Sequence, residues 1–230
     1  MNRFPLAADG SWLGVPAERI ELISRGDVVN GILARGVASG GQAKHAGSPL
    51  LSPVLLVAHD AGSSASSPEL RPIASWVEAG LGVVVIDLPL HGHRASAKLS
   101  ERLVASISKS DRGEGLDPNS AVLVEEFRRQ ATIDLIRTLD ALLALGDFDP
   151  KRVGLLGLGL GARLGKALLA WDDRLCAAVL ADEPSFAGLP AAAPAANATS
   201  RAETSTLSLG RASSTWPDEA RSFLASRLGF

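Results

Sequence analysis

The sequence lacks several features that would assign it to a broad class of protein. It has one cysteine, Cys176, inside the apolar run L-C-A-A-V-L, so a disulfide framework is excluded and a small buried side chain is favoured. No stretch reaches the roughly 18 apolar residues that a membrane span needs, and Met1 to Gly14 contain no apolar signal segment. These absences predict a soluble, cytoplasmic protein without membrane contact.

Charge of one sign is not in excess either. The 230 residues include 23 basic and 25 acidic side chains, interspersed along the chain, for a formal net charge of −2. Without a basic surface to neutralise phosphates, nucleic acid is not an expected partner. Because 46% of the residues are hydrophobic, the chain can bury one sizeable core, and residues 1–230 are expected to form a single domain.

Alternating strand and helix patterns predict an α/β fold. Two β-rich runs, E-R-I-E-L-I-S and V-V-N-G-I-L-A-R-G, meet at a Gly/Asp turn and predict an N-terminal antiparallel hairpin. The apolar runs at 53–58 and 82–87 predict two parallel strands of a βαβ unit. By the same criteria, later strands are expected at 152–156 and 175–181, and helices at 121–145, 161–171 and 216–228.

Two segments interrupt this alternation. Residues 95–120 are charged and irregular, which indicates a cap or lid inserted above the sheet. Residues 185–211 are mostly Ala, Pro, Ser and Thr, a composition that buries too little apolar surface to offset the entropy of ordering. We therefore predict a flexible loop there, in which T-L-S-L-G indicates at most one short strand. The helix at 216–228 is expected to dock on the sheet.

Three motifs occur in an informative order. H-D-A-G-S-S begins at His59, D-L-P-L-H-G-H-R at Asp87, and F-D-P-K-R-V-G-L-L-G at Phe148. Together they resemble the α/β-hydrolases of the dienelactone hydrolase-like group, whose members have H-G-x-G after the third strand, D-x-P-G-H-G-x-S after the fourth and D-P-x-R-[VI]-G-x-x-G-x-S-x-G at the nucleophile elbow. The resemblance covers about residues 20–186 and implies a three-layer α/β sandwich with a mostly parallel sheet, here truncated at the C-terminal strands.

The resemblance also implies where a site would lie. The third and fourth strands of this fold end side by side, so polar residues after them are expected near the carboxyl edge, where ligands bind. The residues concerned are His59, Asp87, His91 and His93. The implied oxyanion-hole donors are the backbone N–H groups of Leu160 and of Asp60 or Ala61.

The catalytic groups of such a hydrolase are missing from the sequence. Gly159 stands where the elbow has its serine, although Gly157 and Gly161 supply the small residues that the turn requires. The family's base is a late histidine, yet all four histidines precede Gly159 (His45, His59, His91 and His93). Asp182 and Glu183 fit the place of an acid after the sixth strand, but a carboxylate with no imidazole to orient does no chemistry.

These departures predict a pseudoenzyme. The expected function is non-hydrolytic binding of a small apolar or acyl ligand or of a protein partner, without a bound cofactor. The alternative is a divergent ester or dienelactone-type hydrolase, or a non-hydrolytic catalyst that uses the retained oxyanion hole and the loop histidines.

Two further hypotheses remain open from the sequence. Gly157-x-Gly159-x-x-Ala162 fits a dinucleotide-binding fingerprint, with Asp182 about 20 residues further on, although only about 70 residues follow it. His91-x-His93, together with His59 and Asp60, contains suitable metal ligands, but the resemblance already accounts for His59 and His91 as residues that shape the loops. We expect neither a nicotinamide cofactor nor a metal.

Overall fold

The computed structural model describes residues 1–6, 10–36, 51–181, 205–209 and 215–230, in which five strands come first and helices and further strands follow. The strands are β1 (Asn2–Pro5), β2 (Ser11–Trp12), β3 (Val15–Ser24), β4 (Asp27–Ala34), β5 (Ser52–Ala58), β6 (Gly82–Ile86), β7 (Phe148–Leu158), β8 (Leu175–Ala181) and β9 (Ser205–Leu209). The α-helices are α1 (Ala74–Glu78), α2 (Ala97–Asp111), α3 (Pro118–Leu143), α4 (Leu160–Trp171) and α5 (Trp216–Leu228).

The strands form one mixed sheet in the order β1-β3-β4-β6-β5-β7-β8-β9, with β2 paired to β3. Strands β5 to β9 are parallel to their neighbours within that set, whereas β4 is antiparallel to β3 and β6. The hairpin β3–β4 closes through Arg25 and Gly26, which both have positive φ, the geometry that suits a two-residue hairpin turn. The predicted hairpin, the parallel βαβ unit and the α/β class are confirmed.

Helices pack on both faces of the sheet through apolar side chains, so the described part of the chain has three layers. Strand β5 shows the pattern: Val54 and Leu56 belong to the cluster that includes α3 and α4, and Leu55 belongs to the cluster that includes α1 and α5. The alternation follows from the two-residue period of a strand, and each fully buried Val or Leu stabilises the fold by about 1.5–3 kcal/mol. The buried strands therefore determine the positions at which the loops between them begin and end.

The segment at 95–120 is more regular than the sequence indicates. Helix α2 occupies Ala97–Asp111, and its Leu103 and Ile107 are buried against the layer that contains α3. The sequence did not indicate this helix, because only two apolar residues, four positions apart, dock it, and its other residues are mostly charged or polar. The cap or lid stays a prediction. Helix α3 then begins at Pro118, where the Asp117 side chain accepts from two backbone N–H groups.

The C-terminal part agrees with the sequence where the structure describes it. Helix α5 has the predicted bounds and packs on the sheet. Strand β9 lies inside the predicted loop, at the T-L-S-L pattern, and pairs in parallel with β8. The remainder of 185–211 lies outside the described residues. None of the helices within the described ranges is long and apolar enough to cross a membrane.

Candidate functional site

The polar residues of the three motifs come together at one edge of the sheet. Strand β5 is followed by His59 and Asp60, β6 by Asp87, and β7 by Gly159. Because β6, β5 and β7 are adjacent and parallel, their carboxyl ends meet at the same edge. His91 and His93 follow on the loop after β6, whereas Asp182, Glu183 and His45 lie outside the described residues.

Gly159 forms a sharp turn from β7 into α4. Its φ of 52° and ψ of −109° are sparsely populated by residues with a side chain. A Cβ at Gly157 would be 2.5 Å from the Gly161 carbonyl oxygen, and one at Gly161 would overlap the Ala58 carbonyl. Strand β7 and helix α4 therefore approach as closely as a nucleophile elbow requires. The residue at the turn, Gly159, has no nucleophilic side chain.

The side chain of Asp60 occupies the space above Gly159. Its Oδ1 accepts a hydrogen bond from Ala61 N–H at 2.7 Å and a second from Leu160 N–H at 2.9 Å. These are two of the donors implied for an oxyanion hole, and they converge on one oxygen. Asp60, whose N–H is the alternative to that of Ala61, here supplies the acceptor.

The same carboxylate fills the position of the missing nucleophile. A Cβ built on Gly159 would overlap the Asp60 carboxylate. Asp60 also places a negative charge at the N-terminus of the 12-residue helix α4, where the helix dipole favours it. The carboxylate thus stands where a serine side chain and a substrate oxyanion would lie in an active hydrolase.

His59 is buried and bonds the backbone of the loops that carry Asp60 and Leu88. Its Nδ1 lies 2.8 Å from the carbonyl oxygen of Asp60, and its Nε2 accepts a hydrogen bond from Leu88 N–H at 3.2 Å. Burial lowers the pKa of His59 to about 4, because desolvation disfavours the imidazolium. A neutral ring with both nitrogens engaged holds two loops together and is not available as a base.

His91 differs from His59 in one respect. Its Nδ1 lies 2.8 Å from the carbonyl oxygen of Pro89, while its buried Nε2 has no hydrogen-bond partner among the described residues. The ring lies 5.4 Å from the His59 ring and 5.7 Å from the Phe127 ring, between centroids. Burial lowers the pKa of His91, so this ring is also held in its neutral form.

Asp87 and His93 form a separate pair on the loop after β6. Asp87 is buried, and its Oδ1 accepts from Ala65 N–H at 2.8 Å. Its Oδ2 lies 2.9 Å from both the backbone nitrogen and the ring Nδ1 of His93. The His93 side chain is 67% exposed, so a buried carboxylate orients a ring that faces outward.

A buried ion pair that was not predicted from the sequence anchors this loop. Arg94 donates to Asp134 of helix α3 at 2.7 Å and to the Asp87 carbonyl oxygen at 3.1 Å, and both side chains of the ion pair are buried. Gln130 donates a further hydrogen bond to Asp134 at 2.7 Å. The sequence did contain a signal for this pair. Asp134 lies next to Leu135 and three residues after Ala131, within the apolar stripe of the helix, so its carboxylate is expected to be buried. A buried carboxylate needs a partner of opposite charge.

The geometry disfavours the metal and dinucleotide hypotheses. No group of three or more His, Cys, Asp or Glu residues within the described ranges is arranged to hold a metal, and both His59 nitrogens bond backbone groups. The glycine motif follows β7, the third parallel strand along the chain, whereas a dinucleotide fold carries it after the first. Leu160 N–H, which a pyrophosphate would need at that turn, already bonds Asp60.

Comparison with family models and with curated protein sequences gives no match. Among solved structures, a cold-adapted esterase from an Arctic intertidal metagenomic library is similar, with 18% identity, a TM-score of 0.63, and coverage of 99% of this chain and 100% of the esterase. A puromycin-hydrolysing peptidase of Mycobacterium tuberculosis has 16% identity and a TM-score of 0.51 over 74% of this chain and 22% of its own. The alpha/beta hydrolase GrgF from Penicillium sp. sh18 has 17% identity and a TM-score of 0.50 over 73% of this chain and 46% of its own.

These likenesses define the class of fold. The chain spans less than half the length of the peptidase and of GrgF, and about the whole length of the esterase. At such identities the similarity concerns the fold alone. The protein has an α/β-hydrolase-like fold.

Proposed function

We propose that this protein is a non-hydrolytic binding module, a pseudoenzyme built on an α/β-hydrolase-like fold. One observation carries the proposal: the Asp60 carboxylate accepts hydrogen bonds from both Ala61 and Leu160 and lies against Gly159. The space for a nucleophile and the donors for an oxyanion are therefore filled by the protein itself. In the dienelactone hydrolase-like pattern, Asp60 corresponds to the glycine of H-G-x-G.

The chemistry supports the same conclusion. Glycine offers no atom that attacks a carbonyl carbon, and His59 is a neutral ring whose two nitrogens bond backbone groups. Loss of the serine or histidine of a triad costs on the order of 10⁶ in kcat, or roughly 8 kcal/mol of barrier. Positioning of a substrate by the remaining groups does not recover a barrier of that size.

The alternative is catalysis that uses a loop histidine in place of the missing triad. The His93–Asp87 pair favours it, since a carboxylate that fixes one ring nitrogen prepares the other to accept a proton. An ester substrate of such a catalyst would still compete with Asp60 for the two backbone donors. Covalent labelling and ester hydrolysis distinguish the binding module from the catalyst.

Purified protein should be treated with a fluorophosphonate probe and with p-nitrophenyl esters of short and medium acyl chains. We expect no covalent labelling, and ester hydrolysis no faster than with a histidine-bearing control protein. The variant Asp60→Ala is the matched control, because it frees the two N–H donors without adding a nucleophile, and it should be equally inactive. Stoichiometric labelling of a serine, or ester turnover that Asp60→Ala increases, would contradict the proposal.

A further inference from the structure

A cavity lies beside the His93–Asp87 pair and is not lined by Gly159 or Asp60. Its volume is about 360 Å³, within the usual range for small-molecule sites. Strands β3 and β4, the end of β1 and the loops after β5 and β6 contribute its walls. The residues that line it include Leu6, Arg19, Ile32, Asp87 and His93.

The hydrogen bonds of Asp87 determine which nitrogen of His93 carries its proton. A carboxylate only accepts, so the His93 Nδ1 at 2.9 Å must carry a hydrogen. In the neutral ring Nε2 is then an acceptor, and no hydrogen bond to it is formed within the described residues. Asp87 itself is satisfied by Ala65 N–H and by two groups of His93. While its ring is neutral, His93 therefore offers one acceptor at the wall of the cavity.

The same cavity also provides a cation and apolar surface. The Arg19 guanidinium lies over the Phe4 ring, 5.1 Å from its centroid, and 3.4 Å from the Glu21 carboxylate. The Arg19 side chain is 44% exposed, so its planar group remains accessible to a second carboxylate. Leu6 and Ile32 contribute apolar surface to the cavity wall.

We propose that this cavity binds a small hydroxy acid with an apolar chain. The hydroxyl group donates to Nε2 of His93, the carboxylate pairs with Arg19, and the chain packs on Leu6 and Ile32. This inference rests on the proposed function, for which it names the ligand class. Recognition of a hydroxyl group by an acceptor that is otherwise unpaired discriminates strongly against a ligand without that hydroxyl.

Calorimetric titration of the full chain with β-hydroxyoctanoate, octanoate and octanol tests the inference. We expect β-hydroxyoctanoate to bind about tenfold more tightly than octanoate, which lacks the donor, and than octanol, which lacks the carboxylate. His93→Asn keeps a donor at the position of Nδ1 but removes Nε2, so it should abolish the preference for the hydroxyl group. Arg19→Gln should weaken the binding of both acids. The control is Arg71→Gln, on the exposed helical turn after β5, which should leave all three affinities unchanged.

The other outcomes are also decisive. If none of the three probes binds, or if His93→Asn retains the preference for β-hydroxyoctanoate, the inference is wrong. Equal binding of octanoate and β-hydroxyoctanoate by the unaltered chain would likewise overturn it. Such failures are distinguishable from failure of the proposed function, because inertness toward the fluorophosphonate probe is measured independently of these ligands.

Discussion

The two carboxylates at the edge of the sheet have opposite relations to their surroundings. Asp60 turns inward, and its Oδ1 binds two backbone donors that a substrate would otherwise use. Asp87 is more deeply buried than the half-buried Asp60, yet one of its partners is the exposed ring of His93, which lines a cavity. One carboxylate thus closes the site at the elbow, and the other borders an open site after β6.

The need for an acceptor at the elbow explains the difference. A helix begins with N–H groups that have no partner within it, and leaving one buried and unsatisfied costs about 1–3 kcal/mol. In a working elbow, water or substrate meets these groups. Here Gly159 leaves room for a carboxylate, so the protein satisfies them permanently. Asp87 also fills the space beside a glycine with positive φ, Gly92, but its oxygens accept from Ala65 and His93 and not from the first turn of helix α4.

Gly159→Ser should have the largest effect, because it forces a side chain into the space of Asp60. We expect a loss of roughly 3–4 kcal/mol in the free energy of unfolding, from backbone strain and from displacement of the carboxylate, measured by urea denaturation. Esterase activity should not appear. The control is Gly113→Ser, since Gly113 also has positive φ but nothing within 4 Å of an added Cβ. Equal losses in the two variants would show that Asp60 does not occupy the elbow.

A second prediction concerns pH and the buried His59. Burial lowers the pKa of His59 from 6.5 to about 4, so the unfolded chain binds a proton between these values that the folded chain does not. This contribution to stability is therefore complete above pH 6.5 and is lost as the pH falls toward 4, by about 3 kcal/mol. His59→Gln should remove that part of the pH dependence. Parallel stability curves for the two proteins over this range would contradict the assignment.

Asp60→Ala should have a smaller effect. Loss of the acceptor for Ala61 and Leu160 should destabilise the fold by about 1–2 kcal/mol, since water partly replaces the carboxylate. Hydrogen exchange at the Leu160 amide should accelerate, and formate at roughly 0.1 M should slow it again by entering the vacated anion site. The comparison is Asp117→Ala, which removes an exposed cap of helix α3. A formate effect of the same size at both helices would argue against a shaped site at the elbow.

The sequence predicted the parts of the site that depend on the backbone. Buried runs such as P-V-L-L-V-A fix the strands, and the small residues Gly157 and Gly161 fix the turn into α4. The N–H of Leu160 follows from that turn and the N–H of Ala61 from the loop after β5, because both donors belong to the main chain. Helix α2 was missed, since its few apolar residues become informative only beside the core that buries them.

The hydrogen bonds that Asp60 accepts from these two donors were not accessible to the same reasoning. Asp60 and Leu160 are 100 residues apart, and their hydrogen bond depends on the direction of one side chain. The sequence shows Asp60 and Gly159 as two separate departures from the hydrolase pattern. The structure shows that they compensate each other, because the carboxylate needs the volume that the glycine leaves empty.

A double-mutant cycle on Asp60→Ala and Gly159→Ser tests this compensation most directly. The serine should cost roughly 3–4 kcal/mol in the original chain but only about 1–2 kcal/mol when Asp60 is alanine, where backbone strain alone remains. The account predicts a coupling free energy of about 2 kcal/mol between the two positions. Strictly additive losses would contradict it, since they would mean that the Asp60 carboxylate does not fill the place of the missing nucleophile.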